Sequence, residues 1–367
     1  MKSFEEIINS EEFTAEELAR LLDADETEQE ALRARAEQVL FDYVGPNVYL
    51  RGLVEYSNVC RFDCYYCGIR RSANVSERYT LEPEQVVEAA VWCAKNGLAS
   101  FVIQSGERRS DKFIDDVCRI VSEIKRNTRS ERLPDGLGIT LSIGEQSYAS
   151  YKRLFEAGAH RYLLRIETTN PAIFAAIHPE GQSLEERKEA LGYLKEVGYQ
   201  VGTGVMIGLP GQTSLDLARD IEFFRDIDVD MIGMGPFLIH HDTPMSEYLE
   251  EWERRKEDIY RLALKMIATT RLALKDINIA STTALQALKP QGRNEGLRHG
   301  ANVIMPLFTP LEVRQNYKLY DGKPCLDDNA DDAMDKVIKN VASIGRQVGL
   351  DLWGDSRHFK KRQTNGH

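Results

Sequence analysis

The sequence predicts an α/β chain folded as a complete (β/α)8 TIM-type barrel, with N-terminal helices and a C-terminal extension. Three observations carry that expectation. Eight short apolar segments of strand length recur along the chain. Amphipathic stretches of helical length separate most of them. Three cysteines fall on the turn after the first segment, where a parallel barrel gathers its functional loops. An open doubly wound sheet is the structural alternative, and eight strands argue against it.

The elements follow in order. Residues 1–47 read as helical. Phe13-Thr14-Ala15-Glu16-Glu17-Leu18 opens one helix, and Leu18, Leu21 and Leu22, then Leu32, Ala36 and Val39, recur at helical spacing. Gly45-Pro46-Asn47 stops the pattern. The barrel is expected over 48–308, with strands at 48–56, 100–105, 138–143, 161–166, 200–207, 231–238, 277–281 and 301–305. Helices are expected at 82–96, 112–126, 147–156, 184–197 and 215–227. Residues 309–367 form the extension, and the polar end, 360–367, is expected to fray.

Composition narrows the function. Lys and Arg number 47 against 58 Asp and Glu, a net charge of -11 with no basic block, which argues against nucleic acid as a partner. No apolar run approaches the ~20 residues that span a bilayer, and the start, MKSFEEIINSEEF, lacks an apolar leader core. The expectation is a soluble, cytoplasmic protein without a membrane partner. Six cysteines in a chain this long do not make a disulfide framework, and three within eight residues point to metal in a reducing compartment.

Those three are Cys60, Cys64 and Cys67, in Cys60-Arg-Phe-Asp-Cys64-Tyr-Tyr-Cys67. Soft thiolates suit iron–sulfur or zinc. Zinc wants a fourth Cys or His, and the nearest histidine in sequence is His160. A cubane held by three thiolates keeps one iron without a protein ligand, and an open metal position is where chemistry occurs. Arg61, Arg70 and Arg71 flank the loop, as tuning charges or as solvated ones.

Other polar residues collect at strand ends. Gln104-Ser105-Gly106-Glu107 closes the second strand, where small residues admit close approach of a ligand and Glu107 is either an ammonium partner or a surface charge. Thr140 and Ser142 share a face of the third strand. Arg161, Leu163, Arg165 and Glu167 share one of the fourth, so their charges must pair with each other or with a ligand. For Arg161, earliest in the strand, a structural pair at the barrel floor is the alternative. Gly208-Leu209-Pro210-Gly211-Gln212-Thr213 leaves the fifth strand. Met231 and Met305, taken alone, read as core. Thr282 and Thr283 bring hydroxyls to the seventh strand's end, one of them a possible helix cap. His240 and His241 are expected on opposite faces of an extended segment, so no shared metal is expected.

The CxxxCxxC loop after the first strand, with Tyr66 beside its last cysteine, is similar to that of the radical S-adenosylmethionine (SAM) superfamily. Together with Ser57-Asn58-Val59-Cys60, the Gln104 to Glu107 segment, 161–168, 208–213, Gly235-Pro236-Phe237, Thr282-Thr283-Ala284 and 300–306, the chain resembles the HydE family, radical SAM maturases of [FeFe]-hydrogenase. The resemblance implies a [4Fe-4S] cluster on Cys60, Cys64 and Cys67, with SAM on the fourth iron. It implies SAM contacts from Tyr66, Gln104, Ser105, Gly106, Glu107, Ser142, Glu167, Arg187, Met231 and Leu238, with Arg187 near the SAM carboxylate. Thr140, Arg161, Thr282, Thr283, Met305, Tyr317 and Tyr320 would face a substrate cavity. The implied activity is reductive SAM cleavage to a 5'-deoxyadenosyl radical that acts on an iron–CO–cyanide–cysteine complex. The implied partners are HydG as source, HydF as acceptor and an external one-electron donor.

Two departures stand out. Only Cys325 remains of the three cysteines that hold a second cluster in many members, with Ala333 and Lys336 at the other two positions, so no second cluster is expected. Ile166 replaces the usual histidine after Arg165. Alternative readings are a methylornithine synthase-like radical SAM mutase and a non-catalytic carrier of an iron complex. A biotin synthase lacks support, because Cys93 and Cys118 lie in helical segments.

Overall fold

The computed structural model describes residues 2–75 and 77–365. Three short helices, Phe4–Ile8, Ala15–Leu22 and Glu26–Tyr43, lead the chain. Each opens on a capping box, Ser3 with Glu6, Thr14 with Glu17 and Asp25 with Glu28, which satisfies backbone N–H groups that an isolated helix leaves bare. Leu18, Leu21, Leu22, Leu32 and Ala36 bury completely or nearly so, which is why this charged segment docks on the barrel.

Eight parallel strands follow: β1 (Asn47–Ser57), β2 (Ser100–Ser105), β3 (Gly138–Ser142), β4 (Ala159–Leu163), β5 (Gln200–Thr203), β6 (Met231–Ile232), β7 (Asn278–Ile279) and β8 (Val303–Ile304). Their order is β8-β1-β2-β3-β4-β5-β6-β7. The sheet curves through 271°. Its two ends meet at one bridge, Ala280 with Val303, flanked by Ser281 N–H to Val303 O at 2.8 Å and Asn302 N–H to Ile279 O at 2.9 Å.

The helices over the outer face run Pro83–Lys95, Asp111–Asn127, Tyr148–Glu156, Leu184–Val197 and Ser214–Asp226, each within two residues of the expected bounds. Ser110, Ser147, Ser183 and Thr213 cap four of them through their hydroxyls. Cys93 and Cys118 both lie inside helices.

Three strands depart from expectation. The fifth and sixth each break in the middle, resuming as Met206–Ile207 paired with Gly235–Pro236. A Cβ on Gly204 would meet Gly233 O at 2.1 Å, so the two backbones approach more closely than any side chain allows. The fourth leaves its ladder after Leu163. There the Thr203 hydroxyl accepts from Ile166 N–H at 3.1 Å and donates to Leu164 O at 2.9 Å, taking over from the ladder. Ile166 turns fully into the core, away from Arg165.

The extension contains the helix Ala330–Ser343, the short strand Gln347–Val348 paired with the start of β1, and the helix Arg357–Asn365. The expected fraying of 360–367 is not what the described residues show. Arg362 reaches both oxygens of buried Asp230 at 2.9 and 3.0 Å and anchors the last helix, because burial leaves that carboxylate in need of a cation. Gly366 and His367 lie outside the described residues. Among the described residues no helix is long and apolar enough to cross a membrane.

Candidate functional site

The cysteine loop sits at the C-terminal end of β1 and is tied down from four sides. Gly106 N–H donates to Ser57 O at 2.8 Å and Arg61 N–H to Glu107 O at 2.9 Å. Asn58 Nδ2 donates to Glu77 O and Asn316 O, and the Arg78 guanidinium gathers the carbonyls of Asn58, Ile69 and Arg70. A Cβ on Gly106 would lie 2.4 Å from Val59 O and 2.9 Å from the Cys60 Cβ, so only glycine lets the loop rest on the end of β2.

Cys60, Cys64 and Cys67 are free and half-buried. Burial pushes all three thiols above their ordinary value, Cys67 to about 12, and nearby charge adds to it: Cys67 and Cys60 raise Cys64, Cys60 raises Cys67, and Glu107 raises Cys60. Like charges gathered in this way are relieved by a multivalent cation, and metal binding then releases the protons.

Acidic groups close the loop on two sides. Glu107 is 6% exposed, so it is not the surface charge that the sequence left open. Burial, then Glu145, lifts its carboxyl to about 7. Glu145, which sequence reasoning missed, is the pivot here. Its carboxylate pairs with Arg187 on the helix Leu184–Val197 and with Arg109 Nη2 at 2.8 Å. Burial alone would lower the Arg187 guanidinium, but Glu145 outweighs it and holds the charge firmly. On the other side Glu167 adopts φ 66°, a left-handed conformation costly for a residue with a Cβ. Its backbone rejoins the fifth strand beside Val205, and its carboxylate lies 3.0 Å from Arg165 Nη2 and 3.5 Å from the Tyr66 hydroxyl.

Buried polar atoms around this loop that make no hydrogen bond among the described residues include Glu107 Oε1, Arg165 Nε, Glu167 Oε2, Gln182 Nε2, Arg70 Nε and His178 Nε2, the two carboxylate oxygens touching only arginine charges, Arg109 and Arg165. Folded proteins leave few such groups, and a cluster of them marks a ligand's place. Arg109 Nε comes within 3.1 Å of Glu107 Oε1, yet its N–H is directed to Glu145 O. The donor set fits a [4Fe-4S] cluster with a zwitterionic ligand beside it: three thiols for three irons, carboxylates for an ammonium, guanidinium for a carboxylate.

Below the loop lies a small cavity lined by Arg51, Val102, Thr140, Leu163, Met231, Asn278 and Met305 among others. Met231 thus stands with the cavity residues Thr140 and Met305, and its Sδ accepts from Arg51 Nη1 at 3.1 Å. Arg51 was not singled out from the sequence, because one arginine in an apolar strand looks like any other. It is 1% exposed, its Nε has no partner and burial lowers its guanidinium well below the ordinary value.

Arg161 corrects an expectation. Rather than offering donors to a ligand, its guanidinium bonds to Asp355 Oδ1, Trp353 O and Ser100 Oγ, and to Oγ1 of the cavity residue Thr140. The floor is therefore closed by a segment more than 190 residues away in the chain.

Gln104 Nε2 donates to the Tyr317 hydroxyl at 3.3 Å and Ser142 stands opposite Gln104 in register; these three, like Thr282, Thr283 and Tyr320, do not line that cavity. The Tyr320 hydroxyl donates to Thr283 Oγ1 at 2.9 Å, while buried Thr282 Oγ1 has no partner. Ser105 turns its hydroxyl onto Gly106 O, and Leu238 is buried beyond the sixth strand.

His240 and His241 do not occupy opposite faces. The chain turns at Asp242, the rings stack 4.7 Å apart, and both approach Asp321. His240 Nδ1 accepts from Asp242 N–H at 3.1 Å, which leaves its proton on Nε2, the atom that faces Asp321. A metal-binding imidazole has the reverse arrangement, so this trio reads as a hydrogen-bonded charge cluster. Cys325, Ala333 and Lys336 line one pocket outside the sheet.

Comparison with known proteins agrees with this geometry. Residues 54–224 match the model of the Radical SAM superfamily, a span that contains the cysteine loop. The chain is 42% identical over 357 residues to the [FeFe] hydrogenase maturase subunit HydE of Thermotoga maritima, with 97% of each chain covered. In fold it is similar to methylornithine synthase, with TM-score 0.78 at 23% identity, covering 95% of this chain and 97% of that one. It is also similar to HydG, a maturase of the [FeFe]-hydrogenase, with TM-score 0.76 at 19% identity, covering 94% and 74%. At these identities the two structures speak to fold alone.

Proposed function

This chain belongs to the HydE family of radical SAM enzymes, which use a [4Fe-4S] cluster and SAM, and from that premise we propose how its own residues carry out a step of [FeFe]-hydrogenase maturation. The observation that carries the reading is three free cysteines bordered by buried polar atoms whose hydrogen-bonding capacity the protein leaves unused. Cys60, Cys64 and Cys67 hold the cluster. When bound, the cluster supplies the electron that cleaves SAM to methionine and a 5'-deoxyadenosyl radical.

The protein's part is to bind and aim. Glu107 at the end of β2 takes the SAM ammonium, which draws its carboxyl back to the ionised form. Arg187, held by Glu145, faces the SAM carboxylate. Glu167 and Tyr66 position the nucleoside, and the strained turn at Glu167 is tolerated because Thr203 and the Val205 bridge fix it on both sides. Ser105 and Gly106 let the ligand approach the backbone.

The substrate we place below is an iron complex carrying CO, cyanide and cysteine, supplied by a HydG-type maturase and passed to HydF. Thr140, Met305, Thr282, Thr283, Tyr317 and Tyr320 face it, and Arg51 offers it the unused N–H at Nε. Met231 lies between the two ligands. The bridge between Ala280 and Val303 supports reading the sheet as a complete barrel over 48–308, which excludes water from the radical.

The test is anaerobic. The reconstituted protein is given dithionite and SAM, and 5'-deoxyadenosine is assayed with and without the iron–cysteine complex. Cleavage with consumption of the complex supports the reading. Cleavage that leaves the complex untouched assigns a different substrate, a methylornithine precursor being the next to try. No cleavage by a fully loaded protein overturns the catalytic reading in favour of a carrier.

A further inference from the structure

Cys64 has a neighbour that neither the motif nor the proposed SAM contacts employ. Its Sγ lies 3.2 Å from Gln182 Oε1, and the thiol donates to that oxygen. Gln182 is brought there by the segment between the short helix Pro171–Ile177 and the helix Leu184–Val197. That segment packs onto the cysteine loop: Tyr65 N–H donates to Ile177 O at 3.0 Å, and His178 meets Tyr66 edge-on at 5.6 Å between ring centres. Gln182 N–H donates to Pro179 O at 3.2 Å, which fixes the turn.

The other end of the same amide is the informative one. Gln182 Nε2 is shut off from solvent and has no acceptor. An amide has two donors and an acceptor at opposite ends of one planar group, and the two ends exchange by a half-turn about the last bond. While Cys64 carries a proton, its S–H needs the oxygen. Once the sulfur is bound to iron it has no proton, and a carbonyl oxygen against an anionic sulfur is repelled. The half-turn replaces that contact with an N–H donor, and no existing hydrogen bond of Nε2 is lost.

We propose that Gln182 is a positioning residue for the cluster, its side-chain amide donating an N–H···S hydrogen bond to the Cys64 sulfur and so raising the cluster's reduction potential. The inference rests on the reading that Cys60, Cys64 and Cys67 hold the cluster. Its physical basis is that reduction adds negative charge which the sulfurs share, and a donor on one sulfur stabilises the reduced form more than the oxidised. The residue thereby helps decide whether a cellular donor can reduce this cluster at all.

The experiment is an electron-paramagnetic-resonance redox titration of the reconstituted wild type and of Gln182→Leu and Gln182→Met, without SAM, alongside iron analysis. Hydrogen–deuterium exchange of the reduced cluster is read by electron–nuclear double resonance. Backbone N–H groups of Phe62 and Ile69 also reach the cysteine sulfurs, so the wild type should show several exchangeable protons coupled to the cluster, one of them from Gln182. Gln182→Leu should keep its iron, lose that coupling and show a reduced-to-oxidised ratio at least about threefold lower at a fixed potential. If Gln182→Leu does not hold iron, Gln182→Met keeps the length but has no N–H or O–H donor, and the Gln182 coupling must vanish there too. Full iron with an unmoved potential, or the complete wild-type set of exchangeable couplings in the variants, overturns this inference and leaves the functional reading intact. A wild-type protein that takes up no cluster overturns both.

Discussion

Arg161 Nη2 and Asp355 Oδ1 meet 2.7 Å apart across the barrel floor, joining β4 to the C-terminal extension. Arg161 is fully buried, and Asp355 also meets His160 and Gln200. Burial would raise the Asp355 carboxyl, but His160 and Arg161 outweigh it and hold it well below the usual carboxylate range. Asp355→Ala leaves a buried guanidinium without its counter-charge and should cost about 3–5 kcal/mol, read as a lower urea midpoint. Because the folded-state carboxyl is depressed, its contribution is present above the ordinary Asp range and is lost as pH falls through that range and below. The variant should therefore lose less further stability than the wild type on acidification. An unmoved midpoint would mean the floor does not depend on this pair.

Cys64→Ala should abolish 5'-deoxyadenosine formation and lower iron content. The remaining two thiols cannot hold a cubane at this place, while the loop keeps its Arg78 and Asn58 ties. Normal cleavage by this variant would remove Cys64 from the cluster.

Glu167→Ala should weaken SAM binding by about tenfold or more, since a buried charge-assisted contact is worth roughly 1.5–3 kcal/mol, and should leave the visible cluster spectrum in place. Equilibrium titration with SAM measures it. Unchanged affinity would take the carboxylate out of the site.

Glu107 provides a pH test. Its folded-state carboxyl is raised to about 7 from 4.5, by burial first and then by Glu145. A raised acid makes the folded state bind more protons than the unfolded one between those values, so ligand-free stability should fall as pH rises from about 4.5 to 7 and then level off. Glu107→Gln should flatten that slope when urea midpoints are compared across pH. A slope identical to wild type would show that Glu107 ionises normally.

Gly106→Ala should lower iron uptake. The added carbon meets Val59 O and the Cys60 Cβ, both backbone-fixed, so the loop must lift. Iron-to-protein ratio after reconstitution reads this directly, and wild-type loading would show that the loop has room.

What the sequence determined by itself was local. Periodicity placed the alternating strands and helices, because side-chain burial on one face repeats at a period that the chain carries within a dozen residues. The spacing of Cys60, Cys64 and Cys67 identified the metal loop, since a short loop needs no distant partner to bring its thiols together. Glu107 and Glu167 were legible because strand ends are. Only the tertiary structure decided the pairings. Asp355 on Arg161, Glu145 on Arg187 and Gln182 beside Cys64 join residues 194, 42 and 118 positions apart, and nothing local distinguishes those side chains from solvated ones. Tertiary packing also broke the fourth, fifth and sixth strands, where the Thr203 hydroxyl and the contact of Gly204 with Gly233 replace the ladder. A buried charge acquires its meaning from its partner, and the partner is a property of the fold.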